Sequence, residues 1–163
     1  TSNNGIETCY PGAVRVGYPG DKILANMKKR IEMNVYPNCW IVQGGGGIET
    51  FAAVPLTINE MLLQSYEGII RVFPNWNRRR NATFTNLRAY GAFLVTSSLK
   101  NGKVQEVKLF SEKGRPCKIE NPWTNKPVQL SRNGKKVDVL YGRYLQIHTS
   151  VGEKIDLQLY TNH

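Results

Sequence analysis

The chain has 163 residues, 40% of them hydrophobic and 21% charged, and carries a formal net charge of +10 at pH 7. That balance allows one ordinary domain, or a small domain with a helical extension, and excludes a chain too polar to bury a core. No apolar run is long enough to span a bilayer, and Thr1-Ser2-Asn3-Asn4-Gly5 lacks the basic, apolar and small-residue order of a signal peptide.

Helical signals come first. Pro19-Gly20-Asp21 precedes Ile23, Leu24, Met27, Ile31 and Val35, an apolar stripe with lysines opposite. The spacing predicts a helix with Asp21 as N-cap and Pro37 beyond its end. Gly44 to Gly47 then interrupt regular structure and allow close backbone approach. A second helix is expected from Val54-Pro55, since proline suits a first turn. Ile58, Met61, Leu62 and Ser65 would form its buried face, and Gly68 its C-terminal stop.

From Ile69 the apolar period changes to two. Ile70-Arg71-Val72-Phe73 opens the series, and Ala92 to Lys100 and Val104 to Phe110 flank Asn101-Gly102. A second Asn133-Gly134 lies between Val128-Gln129-Leu130-Ser131-Arg132 and Val137-Asp138-Val139-Leu140. Asn-Gly between alternating runs marks a two-residue hairpin. Tyr144 to Thr149 and Ile155 to Tyr160 complete about eight short strands at sandwich-like turn spacings. The expected fold is therefore mainly β with an N-terminal α segment: helices over 1–68, then an antiparallel β-sandwich over 69–163.

Cys9, Cys39 and Cys117 have no Cys-x-x-Cys spacing and two histidines for company, so no metal site is expected and buried free thiols are. His148 and His163 have no acid or nucleophile spaced around them for catalysis. Arg78-Arg79-Arg80 is the densest basic cluster, beside Trp76, yet it sits among turn formers and the remaining cations are scattered. A solvated basic surface is expected in place of a nucleic-acid site. Gly44 to Gly47 lack the Lys-Ser/Thr of a phosphate loop, so no cofactor is expected. Asn81-Ala82-Thr83 is a glycosylation sequon, a triplet that also arises by chance.

Glu49 is the candidate acid or base. It follows four glycines and precedes a helix, where free amides favour the ionised carboxylate, so it also reads as a helix-capping residue. Asp21 reads as a cap, and Glu60 as a solvent-facing or locally paired residue. Trp76, Trp123 and Tyr141 offer another possibility, an aromatic platform on a non-catalytic carbohydrate-binding sandwich.

Tyr36-Pro37-Asn38, then Glu49, then Glu60-Met61-Leu62-Leu63-Gln64-Ser65 resemble, in residues and spacing, the end of the catalytic barrel in glycoside hydrolase family 95, the α-L-fucosidase type. Glu67-Gly68, Ile70 to Pro74, Asn86 to Phe93 and Gly114-Arg115-Pro116-Cys117 are similar to the strands that follow it. The resemblance implies the last helices of an (α/α)6 barrel joined to a C-terminal sandwich. It implies an inverting hydrolase in which a carboxylate positions water opposite a general acid. Glu49 falls on the family's water-side Asp, Gln43 where the family carries a substrate-binding His, and Phe51 where a Gly-Asn pair continues. Substrate contacts are thereby implied at Gln43, Gly46 and Phe51. The implied partners are an oligosaccharide or glycoconjugate and an upstream barrel of the same protein, without which the chain would be inactive. The implied location is periplasmic or extracellular.

Overall fold

The computed structural model describes residues 9–37 and 48–161, with backbone alone for 34 and 48–51. Two compact units emerge: Thr1–Leu62 with Asn75–Asn77, and Leu63–Pro74 with Arg78–His163.

The first unit contains α1 (Cys9–Arg15), α2 (Gly20–Asn34) and α3 (Ile48–Leu62). Val14, Ile23, Met27 and Met61 are its buried centre, with Tyr10, Leu24, Val54, Ile58 and Trp76 packed around them. Pro11-Gly12 reads locally as a turn, yet both lie in α1. Pro11 is the third helical residue, where an amide has no intrahelical acceptor to lose.

Two expected boundaries are corrected. The α2 N-cap is Pro19, which makes no side-chain cap bond; Asp21 lies inside the first turn and accepts from Asn77 Nδ2. The helix expected from Val54-Pro55 starts at Ile48, which puts Pro55 in its interior. A proline there removes one helical hydrogen bond. The helix is kept by tertiary packing: Ala53, Thr57 and Met61, one turn apart each, are buried, and Thr57 Oγ1 donates to the Ala53 carbonyl at 2.6 Å. The helix then stops at Leu62. Leu63-Gln64 are strand, and Gly68 ends a short 3-10 turn with φ +69° in place of the helix itself.

The second unit is an antiparallel β-sandwich, and the chain as a whole is mainly β. Its strands are β1 (Leu63–Gln64), β2 (Arg71–Val72), β3 (Ala82–Ala89), β4 (Phe93–Lys100), β5 (Lys103–Ser111), β6 (Cys117–Glu120), β7 (Val128–Arg132), β8 (Lys135–Leu140), β9 (Tyr144–Ile147) and β10 (Glu153–Leu159). Six form one sheet in the order β3-β4-β5-β10-β7-β8. The other layer pairs β1 with β2 and β6 with β9. Ile70 joins these two pairs, donating to the Lys118 carbonyl and accepting from the Glu120 amide, both at 2.9 Å.

Both Asn-Gly turns are hairpins with two consecutive positive φ values: 49° and 77° at Asn101-Gly102, 47° and 83° at Asn133-Gly134. These angles suit the twist of the flanking strands. Along β4 the buried positions alternate strictly: Phe93, Val95, Ser97 and Leu99. They meet a core that includes Val107, Leu109, Ile119, Leu145, Ile155 and Leu157.

Candidate functional site

Helix α3 carries Glu49 as its second residue, on the first helical turn. The side chains of Glu49 and Phe51, and residues Gln43 and Gly46, lie outside the described residues.

The described acids of the helical unit are held by partners. Glu60, expected to face solvent or pair locally, accepts both ends of the Arg15 guanidinium, at 3.1 and 2.6 Å, although 45 residues separate the two. Its side chain is 13% exposed. A carboxylate gripped by both oxygens is poorly placed to give or take a proton, so Glu60 is a clamp between α1 and α3. Glu32 pairs with Lys28 one turn away on α2.

In the sandwich unit, period two sorts Lys118 and Glu120 of β6 and Tyr144 and Gln146 of β9 onto one face. Glu120 is shared by two arginines: Arg71 Nε reaches one oxygen at 3.1 Å, and Arg143 reaches the other at 3.2 Å. Lys118 and Arg143 both lie against the Tyr144 ring, at 4.7 and 5.2 Å from its centroid. Beside them Gly68, Pro116, Lys118, Gln146 and His148 line an open cleft of about 320 Å³. It offers an ammonium, an amide and an imidazole, groups that bind polar ligands, but no carboxylate for hydrolysis.

Cys117 also lines this cleft. Burial pushes its thiol up to about 12, so it stays protonated and is neither a nucleophile nor a ready metal ligand at neutral pH. Burial was expected of Cys9 too, but Cys9 is an exposed free thiol on the first turn of α1.

The aromatic-platform expectation is corrected. Trp123 is buried and donates its Nε1–H to the Val104 carbonyl at 2.8 Å. Trp76 packs against the helical core, and Tyr141 alone of the three is exposed.

No protein-family model and no curated protein matches the chain. Among solved structures, it is similar to a GH127 β-L-arabinofuranosidase from Geobacillus stearothermophilus T6, with a TM-score of 0.39 and 13% identity. The similarity covers 78% of this chain and 23% of that one, so this chain spans under a quarter of its length. That protein is a glycoside hydrolase, of family 127 and not 95. At such a TM-score the likeness transfers neither activity nor residues.

Sequence reasoning missed the Arg15 partner of Glu60 and the Glu120 cluster. The β6 and β9 alternation does carry Lys118, Glu120, Tyr144 and Gln146 to one face. Nothing local signals that β9 pairs with β6, 24 residues apart between Glu120 and Tyr144.

Proposed function

We propose that this chain is the C-terminal region of an inverting glycoside hydrolase of the family 95 type, exported, cleaving an O-glycosidic bond and inactive by itself. The reading rests on one observation: Tyr36-Pro37-Asn38, Glu49 and Glu60 to Ser65 stand at the spacings of that family's barrel end. The helical unit is compatible with it. Val16, Met33, Tyr36 and Leu56 are large apolar side chains exposed on or beside three helices, the surface expected of helices that pack against further helices. In this reading residues 1–68 belong to the barrel, Glu49 orients the attacking water, and Gln43, Gly46 and Phe51 contact the sugar. The general acid would come from helices upstream.

The test uses the complete parent enzyme and the isolated chain on a panel of aryl glycosides. The parent is expected to turn over a fucoside or a related sugar, and the isolated chain none. In the parent, Glu49→Gln should keep the fold and lower kcat by roughly 10² to 10⁴, because an amide cannot accept the water's proton. Near wild-type turnover with a lowered Tm would reduce Glu49 to a helix cap, and turnover by the isolated chain would refute its dependence on a barrel.

A further inference from the structure

One end of the sandwich gathers cations that the chain brings from three separate segments. Arg78, Arg79 and Arg80 lie in the turn before β3; Lys100 and Lys103 flank the β4–β5 hairpin; Lys126 precedes β7; all are exposed. Lys100 and Lys103 face each other as the last pair of that hairpin.

Specific hydrogen bonds hold these loops together. Asn81 Oδ1 accepts from the Asn101 amide at 3.0 Å, and the Arg78 carbonyl comes to 3.6 Å from where a Cβ on Gly102 would stand. The basic turn is thereby fixed on the hairpin tip. Trp123 Nε1 reaches the Val104 carbonyl at 2.8 Å and brings the loop before β7 to the same end. The buried Asn121 then donates to both the Lys126 and Gly142 carbonyls at 2.9 Å, which adds the Tyr141 loop.

Two carboxylates near this end are already paired, while Asp138 on β8 and Asp156 on β10 lie further along the strands. Glu120 is taken by Arg71 and Arg143, and Glu106 pairs with Lys108 at 3.1 Å. Lys100, Lys103 and Lys126 have no ion-pair partner among the described residues. Three exposed ammonium groups without ion-pair partners are thus set along the row β4-β5-β10-β7-β8. Four strand spacings make that row roughly 19 Å long. Tyr141, 71% exposed, stands at its far end.

We propose that this end of the sandwich binds an anionic polysaccharide, its sulfate or carboxylate groups set against Lys100, Lys103 and Lys126 and a sugar face against Tyr141. Nucleic acid is the less suitable polyanion. Single strands are held by successive bases on aromatic rings, whereas Phe84 and Trp123 at this end are buried. One exposed tyrosine provides no such platform. The proposal does not draw on the glycosidase reading, since it concerns binding and involves no reaction.

The test measures affinity of the whole chain at low and moderate salt for heparin, polygalacturonate, neutral dextran and a single-stranded oligonucleotide. Salt-sensitive binding to heparin, to polygalacturonate or to both is expected, the two arms separating sulfate from carboxylate recognition, with none to dextran. Removing two cation contacts, in K100Q/K103Q, should weaken binding roughly tenfold. The charge-matched K135Q/K136Q, at the hairpin on the opposite end, should change it less than about twofold. K126Q supplies a second, independent probe, and unchanged Tm values confirm that each variant folds. Equal loss in the K135Q/K136Q control would reduce the effect to net charge and overturn the site. Tighter binding of the oligonucleotide, or no binding to either acidic polysaccharide at low salt, would overturn the ligand class.

Discussion

Glu153 shows how one side chain closes an end of the sandwich. Burial by itself would raise its carboxyl pKa, but the Arg132 guanidinium at 2.6 Å and the Ser150 amide at 2.9 Å outweigh this and hold it below the ordinary carboxylate value. Arg132 also donates to the His148 carbonyl at 3.0 Å, so the pair ties β7 to the loop before β10. A folded-state pKa below the unfolded value means the carboxylate stabilises the fold fully above about pH 4.3. That contribution disappears as the pH falls through the lower, folded-state value. At pH 7, Glu153→Gln should cost about 2 kcal/mol, the scale of a hydrogen bond to a charged group. Chemical denaturation from pH 7 to pH 2 should show the two stability curves converging only below about pH 4. Curves separated by the same amount at every pH would mean that packing, and not the charge, sets the cost.

At the scale of elements, the α1–α2 connection opposes two preferences at Gly20. Helix propensity favours alanine over glycine by about 1 kcal/mol in an interior, less at a first position. Against it, a Cβ at Gly20 would fall on the Asn75 backbone carbonyl and side-chain oxygen. Asn75 has little room to retreat, because its Nδ2 donates to the Tyr18 carbonyl at 3.0 Å and its amide to the Met61 carbonyl at 3.4 Å. Crowding of a packed backbone costs about 1–3 kcal/mol, so the clash should win. Gly20→Ala is expected to lower the Tm and to speed amide exchange in α1 and the start of α2. A raised Tm would show that Asn75 can move aside and that it does not fasten the helices. The same packing explains how α3 tolerates Pro55: the buried row of Ala53, Thr57 and Met61 returns more than one missing hydrogen bond removes.

For the whole molecule, the helical unit exposes several large apolar side chains. Val16 is 84% exposed and Met33 67%, with Tyr36 and Leu56 near half. Apolar surface of this kind favours association. Sedimentation of the isolated chain should show concentration-dependent oligomers, and the triple variant Val16→Ser, Met33→Gln, Leu56→Gln should shift them toward monomer without lowering the Tm. A strict monomer at all concentrations would count against a missing helical partner.

Local chemistry was enough for much of the fold. The switch of period near Ile69, the two Asn-Gly hairpins and the alternating runs that form β4, β5, β7 and β10 were legible in the sequence. Alternation and positive-φ turns are written within a few adjacent residues. The helical part was legible as helix but not in its limits: α1 hides in Pro11-Gly12, and α3 starts six residues before the expected Val54. Of the proposed catalytic site, Glu49 was singled out by its place after four glycines and before a helix, whereas Gln43, Gly46 and Phe51 came from the family resemblance; residues Gln43 and Gly46 and the side chains of Glu49 and Phe51 lie outside the described residues. Tertiary structure alone decided that β10 inserts between β5 and β7, that Glu60 belongs to Arg15, and that scattered cations from three segments meet at one end of the sandwich. Those outcomes depend on which distant segments bury their apolar faces together. No window of neighbouring residues carries that information.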